Sequence, residues 1–178
     1  VLSHEMAEAL GLTSATVRRD LSFLDFHGVP KRGYQTQQLD EALTRYLGAD
    51  DEYHVVLVGA GNLGKALALH RGFSRHGFNI AAIYDHDPKV IGRKIGSLQV
   101  RDLAALEADL EAAGIVFGVL AVPAEAAQDV SDRLINAGVT GLLNLSLAHI
   151  SAPEHVNVVD TQIVAGLQEL ACVSRKHS

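Results

Sequence analysis

The chain has 178 residues, 48% of them hydrophobic, with one Cys, no Trp and a formal net charge of −6. That length suits one good core plus a small module, and a single cysteine excludes an internal disulfide or a cysteine-only zinc cage. No apolar stretch approaches the roughly 18 residues needed to cross a bilayer and no secretion signal is visible, so the expected compartment is the cytoplasm, with no membrane partner.

Ser3-His4-Glu5-Met6-Ala7-Glu8-Ala9-Leu10 reads as a short helix capped by Ser3, with Glu5 favourable in its first turn. Gly11-Leu12-Thr13 interrupts it, and residues 14–24 form a second helix capped by Thr13, with Val17, Leu21 and Leu24 on its apolar face. Ala7, Gly11 and Val17 have helix-turn-helix spacing: a small residue where helices cross, a glycine for the left-handed turn, a β-branched residue locking the second helix. In that register Ser14, Thr16, Arg18 and Arg19 lie on or near the exposed face of a recognition helix, where arginine reads guanine or clamps phosphate.

Residues 26–36 have the glycines, bases and aromatic (Tyr34) of a β-hairpin wing, placing Lys31 and Arg32 within reach of phosphate or a minor groove. The alternative is that two helices only cap the following domain and carry a solvated charge run. A winged helix needs a third helix to close its core; none is visible before Val1 and the chain does not begin with Met, so an upstream segment of the natural protein is expected to be missing. Residues 1–47 carry five Lys/Arg against six acids, but residues 17–34 carry four against two. Positive charge thus sits where a nucleic-acid face would be.

Next comes the buried-strand pattern Val55-Val56-Leu57-Val58, followed at once by Gly59-Ala60-Gly61-Asn62-Leu63-Gly64. In a strand-loop-helix crossover the first glycine permits the tight turn, the second lets backbone approach a pyrophosphate, and the third lets helix pack on strand. A second strand, residues 80–84, ends in Asp85, 26 residues after Gly59, where a carboxylate accepts the ribose hydroxyls and repels a 2′-phosphate. NAD is therefore favoured over NADP. The alternatives are a plain tight connection at the glycines and a plain turn at Asp85-His86-Asp87-Pro88.

The remaining elements alternate: helix 62–76, short strand 98–100, helix 102–113, strand 115–121, helix 123–137, strand 141–145 and strand 156–159. This predicts an α/β fold, a Rossmann doubly wound, mostly parallel sheet preceded by a small winged helix-turn-helix domain. The expected domains are 1–48, 52–160 and a C-terminal helix within 161–178. Ala121, Val122, Pro123 and Asn144 end strands on the cofactor edge and should approach the nicotinamide; the alternative for Pro123 is that it only starts a helix. Cys172, in the run Leu170-Ala171-Cys172-Val173, is expected to be a packed thiol, and the dispersed histidines give no metal site.

Five blocks in this order resemble the Rex family of bacterial redox-sensing transcriptional repressors. They are Val17-Arg18-Arg19-Asp20-Leu21-Ser22, the loop Gly59 to Gly64, Ile83-Tyr84-Asp85-His86-Asp87-Pro88-Lys89-Val90-Ile91-Gly92-Arg93, Leu120-Ala121-Val122-Pro123-Ala124-Glu125-Ala126-Ala127, and Gly138-Val139-Thr140-Gly141-Leu142-Leu143-Asn144. The resemblance implies a homodimer that binds a pseudo-palindromic operator when NADH is scarce. NADH closes the paired Rossmann domains and releases DNA, and NAD competes for the same pocket.

It also adds His86 to the cofactor contacts and Ser22 to the DNA contacts. The last helix, residues 161–174 with Ile163, Val164, Leu167 and Leu170 as its stripe, is implied to cross to the partner subunit, an intrachain cap being the alternative. Where members carry a tyrosine after the glycine loop, this chain has His70; Asp160 matches the aspartate that pairs with it. A His70–Asp160 bond across the dimer is therefore expected, sensitive to pH near the histidine pKa. An NAD-dependent oxidoreductase would need a substrate domain and a proton donor beside the nicotinamide, and neither is visible, so the chain is expected not to be an enzyme. That oxidoreductase and a CoA- or nucleotide-binding module without DNA contact are the competing readings.

Overall fold

The structure, a computed structural model, describes residues 1–29, 32–48 and 51–175. They fall into two compact units, Val1–Asp51 and Glu52–Ser178.

In the first unit α1 (Ser3–Leu10) ends at Gly11 in the left-handed conformation, φ 66°. Its cap is Leu2, not Ser3: the Glu5 carboxylate accepts the Leu2 N–H at 2.6 Å. The Ser3 hydroxyl accepts instead from Arg18 Nη1 at 3.3 Å. Thr13 caps α2 (Ser14–Leu21) as expected, accepting the Thr16 N–H at 3.1 Å. The helix stops short of residue 24 because the Ser22 hydroxyl donates to the Arg19 carbonyl (2.6 Å), yet Leu24 still reaches the core from the turn.

Among the described residues the expected wing shows one antiparallel bridge, Val29 with Gly33, closed by N–H···O bonds of 2.8 and 2.9 Å. A following helix, α3 (Thr36–Leu47), which the sequence reading does not assign, packs on this headpiece. Its Leu39 joins Ala7, Val17, Leu21 and Leu24 in the core, with Ala42 and Leu43 packed alongside.

The second unit is built on β1 (Tyr53–Val58), β2 (Phe78–Asp85), β3 (Lys94–Ile95), β4 (Leu98–Asp102), β5 (Phe117–Leu120), β6 (Gly141–Asn144) and β7 (Asn157–Asp160). They form one sheet in the order β3-β4-β2-β1-β5-β6-β7. Every pairing is parallel except β3 with β4. Alternation along each strand sends Val56, Val58, Tyr84, Leu120 and Leu142 to the face covered by α6 (Leu106–Ala113) and α7 (Ala124–Asn136). Leu57, Ile83 and Val100 go to the opposite face, with Leu67 of α4 (Asn62–Ala68) against them.

The helix expected over 62–76 is broken. Leu69 ends α4, and a short α5 (Gly72–Arg75) follows. His70 sits in the break with its ring over Gly72 and edge-on to Phe73, centroids 5.4 Å apart.

Two polar clamps hold the helical layer. Tyr84, fully buried, donates its hydroxyl to Asp109 Oδ2 at 2.8 Å, and Arg101 reaches the same oxygen at 3.0 Å. Burial, with the Asp109 bond, pushes the Tyr84 phenol up to about 12. Arg133 of α7 holds Glu107 of α6 with Nε and Nη2, the latter also donating to the Leu103 carbonyl at 2.7 Å. The Arg133 bond keeps the Glu107 carboxyl below the usual carboxylate range. A carboxyl depressed in the folded state adds stability above its unfolded pKa and loses it as pH falls through the folded pKa. Thermal melts from pH 6 to pH 3 should therefore show a shallower acid loss for Glu107→Gln than for the parent; parallel curves would refute the linkage.

The last helix, α8 (Ile163–Arg175), has no buried residue. Leu167 and Leu170 are 61% and 64% exposed, and Cys172, expected to be packed, is exposed as well. Over the sheet face of β1, β5, β6 and β7 lies an apolar hollow of about 380 Å³ lined by Val55, Phe117, Val119, Leu143 and Val159.

Candidate dinucleotide cleft and DNA-binding face

The loop after β1 obeys three separate packing demands. Gly59 has φ 104°, and a Cβ there would run into the Ala121 carbonyl. At Gly64, in the first turn of α4, a Cβ would run into the Gly59 carbonyl. At Gly61 a Cβ would meet nothing within 4 Å. The first and third glycines let the chain turn and pack; the second leaves backbone open toward the cleft.

Asp85, at the end of β2, faces this loop. Its Oδ2 accepts the Ala60 N–H at 2.7 Å and its Oδ1 the Asp87 N–H at 2.9 Å, with His86 Nδ1 3.6 Å away. The carboxylate thus holds the glycine loop and the following turn in register. Asp87 Oδ1 in turn accepts the Lys89 N–H (2.9 Å), the turn chemistry of Asp before Pro.

A cleft of about 750 Å³ opens at the carboxyl ends of β1, β2 and β5, where strand order reverses. Of the residues expected there, Gly59, Ala60, Gly61, Asn62, Leu63, Asp85, His86, Ala121, Val122 and Pro123 line it, and Gly64 supports the loop from behind. Lys65, Asp87, Val90, Leu103, Ala126, Asp129 and Val130 line it too, and the sequence reading does not assign them to the cofactor. Lys65 follows the last glycine directly. Ala126, Asp129 and Val130 have the i, i+3, i+4 spacing of one helix face, but which face meets the cleft is set by the packing of α7 on α6.

Three expected residues are placed elsewhere. Asn144 is fully buried and saturated: Nδ2 donates to the Ala148 carbonyl (2.8 Å) and Asp160 Oδ1 (2.7 Å), while Oδ1 accepts from Ser146 N–H (3.0 Å) and hydroxyl (2.7 Å). It fixes the loop after β6 and does not line the cleft. Asp160, at the carboxyl end of β7, meets Asn144 and has His149 Nδ1 at 4.0 Å. His70 lies before the start of β2, on the opposite sheet edge, beside Phe73 and Phe78. Within one protomer His70 and Asp160 therefore do not meet.

On the first unit Thr16, Arg18, Arg19, Ser22 and Arg32 are exposed and Ser14 is half-buried. Thr16 and Ser22 already bond locally, to Thr13 and to the Arg19 carbonyl. Tyr34, also expected on the DNA face, is packed by its ring. It is half-buried in the headpiece core, its centroid 6.1 Å from Phe26. Lys31 lies outside the described residues. No group of His, Cys, Asp or Glu among the described residues could hold a metal, and no helix is long and apolar enough to cross a membrane.

The family model of the CoA binding domain matches residues 50–148, and that of the DeoR-like helix-turn-helix domain matches residues 3–41. The chain is 40% identical over 171 residues to the redox-sensing transcriptional repressor Rex of Streptomyces avermitilis, covering 96% of this chain and 68% of that one. It is 38% identical to Rex of Carboxydothermus hydrogenoformans over 170 residues, covering 96% and 82%. Among solved structures, RSP in complex with β-NAD+ and operator DNA superposes with a TM-score of 0.94 at 30% identity, over 99% of this chain and 82% of that one. RSP in complex with β-NADH superposes with a TM-score of 0.87 at 31% identity, over 99% and 83%. These relatives are repressors and not oxidoreductases, in line with the sequence expectation. With a helix-turn-helix domain joined to a Rossmann domain and this similarity over nearly its whole length, the chain belongs to the Rex family of redox-sensing transcriptional repressors.

Proposed function

We propose that this chain works in the cytoplasm as a homodimer that binds a pseudo-palindromic operator through α2 and releases it when NADH fills the Rossmann cleft, NAD competing for the same site. The observation that carries this reading is the presence, in one chain, of exposed Arg18 and Arg19 on a helix-turn-helix and of a glycine loop clasped by the acidic end of β2. The open N–H groups of that loop suit a pyrophosphate. A carboxylate at Asp85, at the end of β2, suits ribose hydroxyls, and its charge disfavours a 2′-phosphate.

Pairing is supported by two apolar surfaces that no described residue of the protomer covers: the stripe of α8 and the hollow over β1, β5, β6 and β7. Exchange of α8 between protomers covers both. Apolar patches of this kind mark association surfaces.

The test is an anisotropy titration of a labelled duplex, selected from a random library with the chain itself. Saturating NADH should weaken the complex about 5- to 150-fold, the range of typical coupling energies, and duplex must weaken NADH binding by the same factor. Affinity indifferent to NADH, or a monomer at micromolar concentration in sedimentation equilibrium, would overturn the proposal. Because the CoA binding domain model covers the same fold, CoA is the control ligand. Thermal stabilisation by CoA and not by NADH would favour the module reading.

A further inference from the structure

We infer that Asp129 reads the base of the bound dinucleotide, its carboxylate accepting a hydrogen bond from the exocyclic amine of adenine, so that the cleft rejects the deaminated hypoxanthine counterpart. The inference rests on the dinucleotide reading of the cleft and adds to it a residue that selects the base.

With the pyrophosphate at the glycine loop and the ribose at Asp85, the base lies farther from the loop, past the end of β2. There the cleft is walled by Val90 from the turn after β2, Leu103 from the turn after β4, and Ala126 and Val130 from α7. Apolar groups from separate elements around one slot suit a flat heteroaromatic ring, with a few polar groups left to fix its orientation. Asp129 stands between Ala126 and Val130 on the same helix and lines the same cleft.

The other carboxylates of the cleft are engaged: Asp85 with the Ala60 and Asp87 N–H groups, Asp87 with that of Lys89. Arg133, one turn on from Asp129, is held by Glu107 and the Leu103 carbonyl. Asp129 is exposed at the cleft and attracts Arg133 electrostatically, but among the described residues it makes no hydrogen bond, so its acceptor capacity is open.

An ionised carboxylate only accepts hydrogen bonds. Adenine presents an N–H donor at its exocyclic position, whereas hypoxanthine presents a carbonyl oxygen that sets lone pair against lone pair. A site built around one donor discriminates against the analogue that lacks it because its own polar group is left unpaired.

The experiment compares NADH with reduced nicotinamide hypoxanthine dinucleotide by fluorescence titration of the whole chain, with Asp129→Asn and Asp129→Ala alongside. The parent should prefer NADH by about tenfold or more, the scale of one hydrogen bond to a charged group. In Asp129→Asn the preference should narrow to within about threefold, since the amide donates to the hypoxanthine oxygen. Asp129→Ala should weaken NADH and leave the analogue at or above its parental affinity, since the repelling carboxylate is gone. Melting temperatures close to the parent's would confirm that both variants fold. Equal parental affinity for the two dinucleotides, or a preference that survives both substitutions, would overturn the inference while leaving the NADH switch standing. Failure of the parent to bind NADH at all would instead remove the dinucleotide reading, and this inference with it.

Discussion

Gly64→Ala should abolish the NADH response while leaving operator binding intact. Gly64 is buried in the first turn of α4, and a Cβ there would be driven into the Gly59 carbonyl. Gly59 cannot yield, because its own φ of 104° and the Ala121 carbonyl behind it fix the turn. The helix must therefore retreat from β1 and carry the loop with it. Forcing a methyl between two backbones belongs at the upper end of overpacking costs, about 3 kcal/mol of unfolding stability. Displacing the loop also loses charge-assisted N–H contacts to the pyrophosphate at about 1.5 kcal/mol or more each, so NADH affinity should fall by roughly 100-fold or more.

Duplex binding should survive because the first unit has its own core of Ala7, Val17, Leu21, Leu24 and Leu39. Gly61→Ala is the companion: its Cβ meets nothing within 4 Å, so the melting temperature should hold while NADH affinity drops. Calorimetric melts and NADH fluorescence titrations read both. A Gly64→Ala protein that still releases DNA at the parental NADH concentration would show that the loop is not the binding element.

Asn144→Ala should lower the stability of the second unit by about 3 kcal/mol, as one side chain satisfies four groups, and a buried polar group left without a partner costs about 1–3 kcal/mol. The alanine strands the Ala148 carbonyl, the Ser146 N–H and hydroxyl, and one oxygen of Asp160, of which the more exposed recover water. At about 3–4 °C per kcal/mol for a unit of this size the melting temperature should fall by roughly 10 °C. Amides of residues 145–149 should exchange faster, because the loop after β6 and the approach to α8 share this anchor. An unchanged melting curve would mean that the Asn144 bonds contribute nothing net. Such a loss would mark Asn144 as a positioning residue for the loop and for Asp160.

Some of these features are legible in single residues. Thr13 caps α2 because its hydroxyl sits one residue before a periodic apolar stripe, and local chemistry of that kind survives any tertiary context. The glycine loop announces itself by its place after a β-rich apolar run. Helix α3 is legible too, in the spacing of Leu39, Ala42 and Leu43 and the stop at Gly48, but the glycines of residues 26–36 draw attention to the wing instead. The break after α4 is less visible, since residues 65–70 are good helix formers and the His70 ring lies over Gly72 only in the folded chain.

By itself, then, the sequence determined the parallel α/β class, the glycine-loop crossover, the carboxylate at the end of β2 and the helix-turn-helix, because each depends on periodicity or on backbone geometry within a short span. Only the tertiary structure decided that Asn144 is spent inside the protein, that His70 and Asp160 stand on opposite sheet edges, that Tyr34 turns inward, and that Asp129 faces the cleft. Those outcomes depend on which element packs against which, and a side chain's direction is set by partners far away in the chain, about which its sequence neighbours carry no information.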